Sequence, residues 1–118
     1  MTVYVKDSSK SVLSGLSKMK AAMIADYAKF MVPETDNKKK MNADFIDGFD
    51  IRYGKKYIKI VCGNSVAAFV VGVDNDKVFK KGDILKPAGY AAPARNAARG
   101  NILDGGYAIN WTGPLYLK

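Results

Sequence analysis

Histidine is absent from the 118 residues and cysteine occurs once. Those absences remove most of the side chains on which acid/base catalysis and soft-metal binding depend. No Ser sits in a nucleophile elbow, and without His the usual activation of a Ser or Cys nucleophile has no base. Cys62 is alone, so it forms no internal disulfide; flanked by Val61 and Gly63 in an apolar stretch, it reads as a small buried hydrophobe. Long hydrophobic runs are missing as well. The stretch Val66 to Val73 falls far short of the roughly 20 apolar residues that a membrane span needs. The N-terminal MTVYVKDSSK has no apolar h-region, so the sequence predicts no signal peptide and a cytoplasmic location. Glycines do not fall in a phosphate-cradling spacing, and Gly54-Lys55 is followed by neither a helix signal nor Ser/Thr, which excludes a P-loop. Asp74, Asn75 and Asp76 lack the alternation, the Gly and the terminal Glu of an EF-hand loop, so they read as a turn. No metal, no cofactor and no enzymatic activity are expected.

What remains is positive charge. Nineteen Lys and Arg face eleven Asp and Glu, a formal net charge of +8, which favours a polyphosphate or an acidic protein as partner. Sixteen of these cations are Lys and three are Arg, a balance that also suits a plain solvated surface, because Lys is a point charge on a flexible stem. At 12.9 kDa and 48% hydrophobic residues the chain fits one domain, residues 1–118, with one core.

Thr2 to Lys6 alternates weakly, as a short edge strand would. Asp7, Ser8 and Ser9 then offer N-caps for a long helix whose Val12, Leu16, Met19, Met23, Tyr27 and Phe30 recur every three or four residues, with Lys18 and Lys29 opposite. Pro33 ends it, and VPETDNKKK reads as an exposed loop. Met41 to Gly48 suggests a short helix with Met41, Phe45 and Ile46 on one side. From Phe49 the period becomes two. Phe49, Ile51 and Tyr53 share one face, Asp50 and Arg52 the other, and Gly54-Lys55 makes a two-residue turn that sets Ile51 opposite Ile58 and Arg52 opposite Tyr57. Gly63-Asn64 permits a second turn, pairing Ile60 with Ala67 and Ile58 with Phe69. Ile84 to Lys86 would be a fourth strand and Tyr107 to Trp111 a last one, with Leu115 and Leu117 packing back; Asp83 reads as a turn carboxylate. Between them Pro93 and Gly100 bracket about two helical turns that put Arg95 and Arg99 side by side. The predicted fold is therefore α+β: a long N-terminal helix on a twisted antiparallel sheet of four to five strands, which at the limit of curling becomes a small open barrel.

The candidate site is the sheet's second face together with the Arg pair. Arg52, Tyr57 and Lys59 are neighbours there, Lys55 and Lys56 sit at the hairpin tip, and Tyr90 and Trp111 are aromatics with no evident core position. Single-stranded nucleic acid is bound by this mixture, because phosphates take Lys and Arg while splayed bases stack on rings. Arg52, Lys55, Lys56, Lys59, Arg95 and Arg99 are the predicted phosphate contacts, with Tyr57 or Trp111 stacking on bases. If the long helix covered that face instead, Tyr57 and Val61 would be core.

The residues FDIRYGKKYIKIV, then FKKGDILKPAGYAAPARNAARGNILDG and the closing WTGP, resemble a family of small, functionally uncharacterised proteins of tailed bacteriophages, over Phe49 to Pro114. At Ala97 the chain departs from an aromatic of that pattern. The resemblance implies a location in an infected bacterial cell and supplies no catalytic residues. In that setting the net charge of +8 and the hairpin's polar face make a nucleic-acid-binding protein the first expectation. A protein that binds and inhibits an acidic host protein in takeover or anti-defence is the second, and a minor structural phage protein the third.

Overall fold

The computed structural model describes residues 3–31 and 35–114; of Phe30 only the backbone is described. Two helices and two antiparallel sheets make the fold α+β. Helix α1 spans Val12–Phe30, capped by Ser11, whose Oγ accepts from the Ser14 N–H at 3.1 Å. The cap is thus two residues later than the nearest Ser of the predicted trio. The Ser9 N–H instead ties this segment to the Leu103 carbonyl at 2.8 Å. Along α1, Leu16, Met19 and Met23 are buried as their spacing predicts, and Ala22 and Asp26 join them.

Helix α2, Asp36–Asp47, begins inside the segment expected to be a loop. Thr35 caps it by accepting from the Lys38 N–H at 3.2 Å, and Asp36 complements the positive helix end, so Lys38, Lys39 and Lys40 lie on a helix. Gly48 ends it as expected. Pro33 and the tail with Leu115 and Leu117 lie outside the described residues.

The four-stranded sheet has the order β2-β3-β4-β5, with β2 Phe49–Tyr53, β3 Tyr57–Cys62, β4 Ser65–Val71 and β5 Ile84–Leu85. Strand β1, Val3–Val5, instead pairs with β6, Tyr107–Asn110, which pairs with β7, Gly113–Pro114, in a separate three-stranded sheet. The predicted antiparallel sheet is thus present with four strands, and the predicted first and last strands pair apart from it in the second sheet. Two register corrections follow. Ile51 pairs with Ile60 and Arg52 with Lys59, two residues from the predicted hairpin register, because Lys55-Lys56 makes the turn and Gly54 donates to the Tyr57 carbonyl at 2.9 Å. An even shift leaves every side chain on its predicted face.

The β3–β4 pair starts in the predicted register, Cys62 with Ser65 and Val61 with Val66, and then slips by one between Ile60 and Val61. An odd slip does change faces. Ala68 and Val70 now oppose Ile60 and Ile58, while Phe69 and Val71 oppose Lys59 and Tyr57. The main core therefore unites Leu16, Met19, Ala22 and Met23 of α1 with Phe49, Ile58, Ile60, Ala68, Val70 and Ile84, and with Tyr107 and Ile109 of the second sheet. Phe69 and Val71 join Phe79 and Leu85 in a smaller cluster on the opposite face.

The predicted helix from Pro93 to Gly100 does not form. Pro87 bridges Pro93, and the N–H groups of Ala94 and Arg99 donate to the carbonyls of Lys86 and Ile84 at 2.7 Å each, so tertiary hydrogen bonds override the helix preference of the alanines. Gly100 has φ of +146°, and a Cβ there would lie 2.5 Å from that of Tyr107. No helix among the described residues is long and apolar enough to cross a membrane.

Candidate nucleic-acid interface

Helix α1 packs on the Phe49/Ile58/Ile60 side of the sheet, and the smaller cluster of Phe69, Val71, Phe79 and Leu85, with Tyr57 against it, covers part of the Arg52/Tyr57/Lys59 side, leaving its hairpin end open. There the turn between β2 and β3 and the ends of both strands enclose a recess of about 330 Å³, lined by Arg52, Tyr53, Gly54, Lys55, Lys56, Tyr57, Lys59, Phe69 and Ala91. Five of the eight residues singled out from the sequence, Arg52, Lys55, Lys56, Tyr57 and Lys59, meet in this one place.

The cations are held in different ways. Arg52 Nε donates to Asp50 at 2.9 Å and its Nη1 to the Tyr90 hydroxyl at 3.0 Å. These contacts raise the Arg52 guanidinium and lower the Asp50 carboxyl relative to their ordinary values. Lys59 Nζ sits 4.2 Å from the centroid of the Tyr90 ring, a cation–π contact. Asp76, whose side chain is fully buried, gathers the rest. It accepts from Arg95 Nη1 at 3.0 Å and Nη2 at 3.1 Å, from Lys56 Nζ at 2.9 Å, and from the N–H groups of Val78 and Phe79 at 2.8 and 2.9 Å. These donors, the Arg95 guanidinium foremost, hold its carboxyl well below the usual carboxylate range. Arg95 also donates to the Tyr57 hydroxyl and lies 4.9 Å over the Phe79 ring. Among the described residues no carboxylate is ion-paired with Lys55 or Lys59. Five cations against the two carboxylates Asp50 and Asp76 leave three positive charges in excess.

Three expectations are revised. Arg95 borders this face as the partner of Asp76 and does so from an irregular segment. Arg99 does not share a helical face with it; its Nη2 donates to Asn96 Oδ1 at 3.2 Å, and burial, followed by the Arg99 charge, depresses the nearby Lys86 ammonium. Trp111 stands elsewhere, edge-on to Tyr27 at 5.2 Å and Phe45 at 6.3 Å, beside an apolar cleft of about 470 Å³ that also includes Met41 and Cys62. Half-burial there pushes the Cys62 thiol up to about 11. The exposed aromatic over the basic face is Tyr90, 54% accessible, and Tyr53, 64% accessible, stands at the recess rim. Sequence reasoning missed the roles of Asp76 and Tyr53. The Asx-turn signal of Asp76 was legible, but its long-range partners were not. Asp83 behaves as the expected turn carboxylate, accepting from the Lys80 N–H at 2.9 Å and from Asn101 Nδ2 at 2.8 Å. Among the described residues no group of three or more His, Cys, Asp or Glu is arranged to hold a metal ion.

Fold and recess together define a small α+β protein with a basic, aromatic-lined sheet face. A family of unknown function, DUF7717, matches residues 3–117, and the chain belongs to it. No curated protein and no solved structure matches the chain.

Proposed function

We propose that this protein is a non-catalytic nucleic-acid-binding protein whose basic recess takes the phosphates of a single strand. The observation that carries the reading is the convergence of Arg52, Lys55, Lys56, Tyr57 and Lys59 on the sheet face that α1 leaves open. Lys55 and Lys59 supply charge that no carboxylate of the described residues is paired with, and Tyr90, which carries Lys59 against its ring and has its hydroxyl fixed by Arg52, offers an exposed aromatic beside them. A splayed base stacking there would gain ~1–3 kcal/mol. Arg99 and Trp111 drop out of the site. The bacteriophage setting is part of the same proposal, carried by the resemblance of Phe49 to Pro114, and it makes phage or host nucleic acid the expected partner in the cytoplasm of an infected cell.

The test is fluorescence anisotropy of labelled single-stranded DNA, duplex DNA and RNA titrated with the protein at ~50 and ~200 mM salt, a range over which phosphate-driven binding changes steeply. Salt-sensitive binding that favours a single strand over the duplex is expected. Flat titrations with all three would overturn the reading and leave the charge as a solubilising surface.

A further inference from the structure

Strand β2 is the outermost strand of its sheet, with β3 on one side and no strand on the other among the described residues. In an antiparallel ladder the residues of one strand alternate between facing the partner and facing away. The bonds from Gly54 N–H to the Tyr57 carbonyl and from Gly63 N–H to the Gly48 carbonyl fix that alternation, so Asp50 and Arg52 point their backbone groups at β3. Phe49, Ile51 and Tyr53 therefore point theirs outward from the edge.

The strand also has the pattern of its own complement. Read about Ile51, the sequence Phe49-Asp50-Ile51-Arg52-Tyr53 is aromatic, acid, aliphatic, base, aromatic. We propose that β2 is an edge-to-edge interface with a second copy of this chain, the two β2 strands pairing antiparallel about a two-fold axis through Ile51. In that register the outward N–H and C=O groups of Ile51 meet those of its mate, Phe49 faces Tyr53, and Asp50 of each copy lies opposite Arg52 of the other. Charges on an edge strand normally block such pairing. Here they are self-complementary, since both side chains are about half exposed and already form a 2.9 Å ion pair within one strand. The partner exchange from within the strand to across the interface keeps each charge paired and adds six backbone hydrogen bonds. The axis is perpendicular to the sheet, so both recesses fall on the same side of an eight-stranded sheet. The proposal does not depend on what those recesses bind.

Sedimentation equilibrium from ~10 μM to ~1 mM fits the modest affinity of so short an interface. A dimer is expected. Either Asp50→Arg or Arg52→Asp alone sets like charges across the axis and should weaken it about tenfold, and the double exchange Asp50→Arg with Arg52→Asp should restore it. Ile51→Pro removes the outward N–H without touching the hydrogen bonds to β3, at the cost of the core contact of Ile51, and should abolish the dimer while the folded monomer persists in circular dichroism. Amide exchange at Phe49, Ile51 and Tyr53 should slow with rising concentration. A monomer throughout the range, or a dimer indifferent to these substitutions, would overturn the proposal.

Discussion

The salt dependence of binding reports how many cations of the recess are available to phosphate. Three of the five bordering cations are already ion-paired, Arg52 with Asp50 and both Lys56 and Arg95 with the one carboxylate of Asp76. A phosphate that took one of these would have to displace a carboxylate, so counterion release should come chiefly from Lys55 and Lys59. For a single strand, two neutralised phosphates correspond to a slope of log K against log salt of about −1.4, whereas five would give about −3.5. Between 50 and 200 mM salt these slopes mean a loss of about 7-fold or about 130-fold in affinity. The measurement is anisotropy with a labelled oligonucleotide of about 6 nucleotides, short enough to occupy one site. We expect the shallow slope, and Lys55→Ala combined with Lys59→Ala should flatten it almost to zero. A slope near the steep value would refute the division into committed and available cations. A double variant with the wild-type slope would refute the site itself.

Three further predictions concern the scaffold. Asp76→Ala should lower the melting temperature at neutral pH by releasing Arg95, Lys56 and the 78–79 turn. Because the folded carboxyl titrates below its unfolded value of about 3.9, its contribution is present above that value and lost as pH falls below it, so the wild-type advantage in thermal melts should shrink from pH 5 to pH 3; an advantage unchanged at pH 3 would contradict this. Gly15→Ala should destabilise the protein by ~1–3 kcal/mol in urea titrations despite the better helix propensity of Ala, since the new Cβ would stand 2.7 Å from the Ile102 carbonyl oxygen. A stabilised variant would show that this helix–loop contact relaxes freely. Tyr107→Phe should leave the melting temperature unchanged or raise it, because among the described residues the buried hydroxyl has no hydrogen-bond partner, and burial pushes its pKa up to about 12. A fall of several degrees would mean that the hydroxyl is satisfied.

Much of this was legible locally. The α1 stripe, the Gly48 stop, the alternation of β2 and the turn at Gly63, with its φ of +62°, are all set by residues within a few positions of one another. The hairpin turn was misplaced because Gly54-Lys55 and Lys55-Lys56 differ by an even register shift, for which the facial pattern is identical. The bulge in β3–β4 could not be read, because Val66 to Val71 is apolar throughout and supplies no alternation to fix the register. The segment from Pro93 to Gly100 failed for a different reason. Its alanines favour a helix, but its N–H groups are satisfied by Lys86 and Ile84, contacts that depend on where β5 lies. The partners of Asp76 share that cause, since Lys56 and Arg95 are each about twenty residues away in sequence.

The bulge nevertheless decides where the candidate site sits. Without it, Phe69 would face α1 with Ile58, and the second face of β4 would present Val70 and Ala68 in its place. With it, Phe69 and Val71 seed the smaller core with Phe79 and Leu85, and that core draws the segments around Phe79 and Ala98 over the far side of the sheet. Those segments carry Asp76, Tyr90 and Arg95, which take up Lys56, Arg52 and Tyr57 and so fix the walls of the recess. Among the described residues the end of the β2–β3 hairpin stays uncovered, and there no carboxylate is ion-paired with Lys55 or Lys59. The commitment of three cations therefore lowers the electrostatic gain of binding but also removes the cost of ordering their long side chains, a trade that favours a preformed site over a diffuse basic surface.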